Sequence, residues 1–161
     1  MKSNWILAST LFVGTLVLDA VTKALALAHL ADGPIFLGAD WLALRLAFNE
    51  GVAFSFLEGI PYWMLGAGAI VLLALVLWNL RDLLASRIGA SALGLVAAGG
   101  LGNAVDRLWD GKVTDMISVW LWPVFNVADI AITVGVGLLL LSPRASKKVA
   151  PTSPAEAADE S

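Results

Sequence analysis

Four apolar stretches, each near the length of a bilayer crossing, organise this chain. They run from about Trp5 to Leu30, Tyr62 to Trp78, Ile88 to Val105 and Val124 to Leu141. At 1.5 Å per residue, even the shortest makes a helix of about 25 Å, enough to cross a hydrocarbon core. Between the first two stretches the pattern changes. Leu42, Leu44, Leu46 and Phe48 alternate with Ala43, Arg45 and Ala47, which is strand periodicity. A single strand cannot cover its own edge, so a small sheet or hairpin lying over the helices is expected. Asn49-Glu50-Gly51 reads as a turn, and Val52 to Leu57 as an amphipathic segment on the membrane surface. Residues 79–87 form a short connection. Residues 149–161 are rich in Ala, Pro, Ser and acid and read as a disordered tail. The predicted fold is an all-α membrane protein with one domain over 1–148. It has four transmembrane helices and a small extracytoplasmic β-cradle between helices one and two.

Composition agrees. The chain is 59% hydrophobic and 14% charged, against roughly 45–50% and 25% for a soluble domain. Cysteine is absent, which excludes disulfides and thiolate chemistry, and a single His29 excludes a histidine-cluster metal site. Lys2, Arg81, Arg87, Arg144, Lys147 and Lys148 fall on one side, and Arg45, Arg107 and Lys112 on the other. The excess makes the first side cytoplasmic, with both termini inside. Trp5 and Trp78 mark the inner interface; Tyr62, Trp63, Trp109, Trp120 and Trp122 mark the outer one. Ala24-Leu25-Ala26 imitates a signal-cleavage site, but Asp19 and Lys23 interrupt a run already too long for a signal peptide.

Against this background the polar residues stand out, because a charge at bilayer depth costs about 2.5–3.5 kcal/mol even on a lenient scale. Asp19 and Lys23 share one face of helix one. They form either a structural ion pair or a support for a site or a lipid phosphate. Asn103, Asp106 and Arg107 share a face at the outer end of helix three. They are either a solvated helix end with an Asp–Arg pair or a network that orients other carboxylates. Asp115 follows the turn-like Asp110-Gly111, in an outer loop. Asn126 and Asp129 share a face at the start of helix four, where the helix N-terminus favours an anion. The loop from Asp115 to Asp129 can double back and bring the two carboxylates together, which suggests water activation by a carboxylate pair. Gly89, Gly94, Gly99, Gly100 and Gly102 read as packing residues on helix three, with Gly99 and Gly102 clearing room beside the site. His29 reads as a solvated interfacial residue, and Arg45 as a surface charge or a headgroup contact.

Five segments then resemble the motifs of signal peptidase II, the bacterial lipoprotein signal peptidase family. They are Asp19-Ala20-Val21-Thr22-Lys23, Asn49-Glu50-Gly51-Val52-Ala53-Phe54-Ser55, Gly99 through Arg107, Gly111-Lys112-Val113-Thr114-Asp115 and Phe125-Asn126-Val127-Ala128-Asp129. Their order also matches the family. Ala20 departs from it, standing where glutamine is usual, and the loop before helix four is short. The resemblance implies an intramembrane aspartic endopeptidase of the bacterial inner membrane. It would cleave diacylglyceryl-modified prolipoproteins before the lipidated cysteine. Asp115 and Asp129 would be the catalytic pair. Asn49, Gly51, Gly99, Asn103, Asp106, Arg107, Asn126, Asp19 and Lys23 would line or support the site. The resemblance further implies an active site near the outer face, contact with membrane lipids, inhibition by globomycin-type cyclic peptides, and a monomer that needs no metal, cofactor or nucleic acid.

Two other readings compete. A small proton- or ion-coupled transporter would also carry intramembrane Asp, Asn and Lys, but would be expected to show a repeat with interrupted helices at the midplane. A non-catalytic scaffold would need no paired carboxylates.

Overall fold

The computed structural model describes residues 2–39, 41–50 and 61–142. Gly51, the amphipathic segment 52–57, the cations Arg144, Lys147 and Lys148, and the tail 149–161 lie outside the described residues. Four helices form: α1 (Lys2–His29), α2 (Tyr62–Leu80), α3 (Arg87–Asp110) and α4 (Val127–Leu141). Strands β1 (Ile35–Ala39), β2 (Leu42–Asn49) and β3 (Val113–Val119) make one antiparallel sheet in that order. A short 3-10 helix, Arg81–Ala85, joins α2 to α3.

Each of α1, α3 and the stretch Tyr62–Ala85 is long and apolar enough to cross a membrane. The fourth helix is apolar but has only 15 residues, about 22 Å at 1.5 Å per residue. It begins three residues later than its apolar stretch, because Asn126 caps it. The centre of the bundle is α3, which packs against α1, α2 and α4. Small residues allow this. A Cβ on Gly94 would lie 2.6 Å from the Ala8 carbonyl oxygen, and one on Gly99 would collide with the Ala128 carbonyl oxygen. Without a hydrophobic drive between helices in lipid, such close backbone approach supplies the packing. Ser86 caps the start of α3 through its side chain. Gly111 ends it in the left-handed conformation (φ 76°), which glycine adopts without a steric penalty.

The sheet sits over the end of α1, where Leu44, Leu46 and Ile117 pack on Ala26, Leu30 and Met116. Its composition corrects the sequence reading. Segment 31–60 supplies only β1 and β2. The third strand comes from between α3 and α4 and carries Asp115, which the sequence placed in a loop. Val113 to Met116 are all buried, so β3 has no alternating pattern to detect.

Candidate active site

Three contacts turn the chain back on itself after β3. The amides of Met116 and Ile117 donate to the Phe125 carbonyl at 3.1 and 2.8 Å, and the Phe125 amide returns a bond to Ile117 at 3.0 Å. This closure sets Asn126 beside β3. Asn126 is fully buried and binds both flanking acids. Its side-chain amide donates to Asp115 Oδ1 at 2.7 Å, and its backbone amide donates to Asp129 Oδ2 at 3.2 Å. Asp129 in turn donates its own backbone N–H to Asn126 Oδ1 at 2.9 Å, completing a capping box at the start of α4. The doubled-back loop expected from the sequence is therefore present, and one asparagine joins the two carboxyl groups.

Asn103 extends the network from α3. Its amide donates to Asp129 Oδ1 at 2.8 Å, while its own Oδ1 accepts from Asn126 at 3.1 Å and from Lys23 Nζ at 3.3 Å. Lys23 is 5% exposed, and its three ammonium protons have three partners. They are Asn103, Asp19 Oδ2 at 2.6 Å and Asp106 Oδ2 at 2.9 Å. Asp19 also accepts the Ala128 amide at 2.9 Å, and Asp106 the Thr114 amide at 3.2 Å. One ammonium thus ties α1 to α3, while its carboxylate partners hold the starts of α4 and β3.

This network decides the alternatives left open by spacing. The i,i+4 ion pair of Asp19 and Lys23 exists, and it is also part of the support under the acids. Asp106 pairs with Lys23, not with Arg107; Arg107 instead donates to the Asn103 carbonyl at 3.3 Å. Asn49, at the end of β2, hydrogen-bonds Asp115 through its side chain. A Cβ on Gly102 would lie 2.7 Å from Asp19 Oδ2, so that glycine does clear room for the network. Gly99 acts one turn deeper, by admitting α4. Thr114 was missed as a site residue because it acts through its backbone, which leaves no side-chain signal. The β-branched run Val113, Thr114, Ile117, Val119 was the available hint of a strand.

Asp115 is 2% exposed. Burial, followed by the charge of Asp129, pushes its carboxyl from the ordinary 3.8 up to about 6. Hydrogen bonds from Asn126 and Asn49 and the charge of Lys23 pull the other way. Every buried side-chain polar atom among the described residues has a partner. No group of three or more His, Cys, Asp or Glu among them could hold a metal ion. Beside the acids an apolar groove of about 410 Å³ runs between α1 and the sheet, lined by Leu25, His29, Leu44, Met116 and Val127 among others. Met116 and Val127 are the chain neighbours of Asp115 and Asn126, so the groove opens next to the network.

A profile of the family described as signal peptidase (SPase) II matches residues 11–143. A lipoprotein signal peptidase of Chlorobium phaeobacteroides (strain BS1) is 36% identical over 140 residues, covering 78% of this chain and 88% of that protein. One from Rhodococcus jostii (strain RHA1) is 42% identical over 134 residues, covering 78% and 66%. The fold resembles a bacterial membrane enzyme solved by the in meso method at 1.9 Å resolution. The TM-score is 0.68 at 24% identity, over 88% of this chain and 92% of that one.

Proposed function

This chain belongs to the signal peptidase II family, and from that premise we propose that it is an aspartic endopeptidase that frees lipoproteins from their signal peptides, with Asp115 and Asp129 as its catalytic pair. The observation that carries the assignment is the bridge made by Asn126, which hydrogen-bonds both carboxyl groups. Two acids held this close share a proton, and their titration belongs to the pair. Burial favours the proton on Asp115, which makes it the acid of the pair and leaves the base's role to Asp129.

The chemistry follows from that division. Asp129 takes a proton from water as the oxygen attacks the scissile carbonyl carbon, and Asp115 donates its proton to the carbonyl oxygen. Collapse of the resulting diol breaks the C–N bond. The proton on Asp129 passes to the leaving amine, and the re-forming carbonyl returns a proton to Asp115. The reactants are a peptide bond and water, and both acids end as they began. Asn103, Asn126 and Asn49 supply neutral N–H donors that orient the pair. Lys23 holds Asp19 and Asp106 so that the elements bearing the pair stay in register. Asn49, Gly99 and Arg107 complete the lining or support.

The proposed substrate is a diacylglyceryl-modified prolipoprotein, cut before its lipidated cysteine. The apolar groove beside Asp115 suits its greasy parts, and globomycin-type cyclic peptides would compete for the same space. The protein is an integral membrane protein. The proposed setting is the bacterial inner membrane, with both termini cytoplasmic, the pair near the outer face, and a monomer as the working unit. Support comes from the cations Lys2, Arg81 and Arg87 at the end remote from Asp115, together with Arg144, Lys147 and Lys148.

The test is a gel-shift cleavage assay with purified protein and a diacylglyceryl-modified prolipoprotein, with chelator in one lane. Cleavage that survives chelator and disappears in both Asp115→Asn and Asp129→Asn supports the pair. Turnover by either variant, or loss with chelator, overturns it.

A further inference from the structure

The end of the bundle remote from Asp115 contains an opening that the peptidase reading leaves unused. Both α1 and α2 pack on α3, yet among the described residues no Cα of one comes within 8 Å of a Cα of the other. Between them lies an apolar gap of about 480 Å³, floored by Gly94 and Ala97 of α3. Its α1 wall is the face from Trp5 through Ser9 to Phe12, and its α2 wall is the face from Ala74 through Trp78 to Arg81. On each helix these positions follow the i, i+3, i+4, i+7 spacing of a single packing face. Two such faces normally meet; here they stand apart.

Depth and charge indicate the occupant. From Trp5 to Phe12 the gap runs about 10 Å along α1, which lies within one leaflet's ~15 Å share of a ~30 Å hydrocarbon core. At the polar end, the Arg81 guanidinium sits 4.2 Å from the centre of the Trp78 ring. Among the described residues Arg81 is the sole charged one lining the gap. Asn4 anchors the start of α1 by donating to the carbonyls of Leu84 and Ala85 at 3.0 and 2.9 Å, so the two walls are tied together at their base and open above it. An apolar wedge confined to one leaflet with a cation at its mouth matches part of an acyl chain carrying an anionic headgroup.

We propose that this gap is a binding site for one anionic glycerophospholipid from the leaflet opposite the active site. One acyl chain fills the space between α1 and α2, and the headgroup phosphate meets Arg81. The site completes the α1–α2 packing that the protein alone leaves open. It stands independently of the catalytic assignment.

Native mass spectrometry of the purified full chain in detergent tests this, with phosphatidylglycerol or phosphatidylcholine added. Wild type should retain one phosphatidylglycerol per chain in preference to phosphatidylcholine by roughly fivefold, the effect of one surface cation on an anionic headgroup. Arg81→Gln should erase that preference. Ala97→Phe, which raises the floor, should abolish retention. Should that variant fail to fold, Ser9→Phe fills the gap from an exposed wall position and should do the same. Equal retention of the two lipids, unchanged retention in a folded gap-filling variant, or a lipid-free dimer that buries the gap would overturn the proposal.

Discussion

Two pairs of aspartates lie within one hydrogen-bonded network, and their surroundings differ. Asp19 and Asp106 each place an oxygen within 3 Å of the Lys23 ammonium, and each also accepts a backbone amide. Among the described residues Asp115 and Asp129 form no ion pair with a cation; their hydrogen-bond partners are asparagine side-chain amides and the backbone N–H of Asn126. A carboxyl group against a buried ammonium and a backbone amide is placed to hold elements together. Asp115, held by neutral amides, has its carboxyl pushed up to about 6 by burial and by the charge of Asp129, which supports the acid role proposed for it. The residue type is the same in both pairs; the distance to Lys23 separates the roles.

The sharpest way to break this comparison is to neutralise one acid of the second pair. Asp115→Asn or Asp129→Asn should lower turnover by roughly 10⁴-fold, the upper range for a positioned acid or base. The melting temperature in detergent should stay near wild type; a large fall would show that this pair is structural as well. Lys23→Met is the complementary change. It strands Asp19 and Asp106 without their cation and should cost about 3–5 kcal/mol of stability. Thermal unfolding in detergent measures it, and a fully stable variant would remove Lys23 from its supporting role.

Asn126→Ala acts on the second pair and on the helix that carries one of its acids. It removes the bridge between the acids and the cap of α4, each worth about 1 kcal/mol or somewhat more. Turnover should fall by roughly 10- to 100-fold with a modest loss of stability, and wild-type kinetics would show that the bridge is dispensable.

The smallest effect is a pH dependence. Asp115 titrates higher in the folded chain than in the unfolded one, so its protonated form favours folding. That contribution is complete below about 3.8 and is lost as pH rises through about 6. Wild type should therefore lose stability across that window relative to Asp115→Asn. Parallel melting curves for the two would place the raised titration elsewhere.

The extent to which this was legible in advance varied by element. The apolar stretches located α1, α2 and α3, because lipid exposure imposes long runs that composition alone reveals. The alternation of Leu42 to Phe48 located β2, which has one face toward the helices. By contrast, β3 was invisible, since burial on both sides removes the period. Asp115 was identified as an acid of interest while its strand was missed. Spacing alone puts Asn126 and Asp129 on one helix face; Asn126 instead caps α4 from outside the helix, and the capping box is what joins the two. For Asp106 the spacing leaves open an Asp–Arg pair or a network that orients other carboxylates, and its partner is Lys23 on another helix.

By itself, then, the sequence determined the membrane class, the stock of polar residues that the bilayer must accommodate, and which of them share a helix face. These are local properties, set by hydropathy and by the 3.6-residue repeat. Only the tertiary structure decided which carboxylate meets the ammonium and which meets an amide. Those contacts join residues as far apart as Asp19 and Ala128, and Lys23 and Asp106, and they depend on how closely glycines let α1 and α4 approach α3. Charge pairing over such separations follows distance in space, and no local pattern along the chain encodes it.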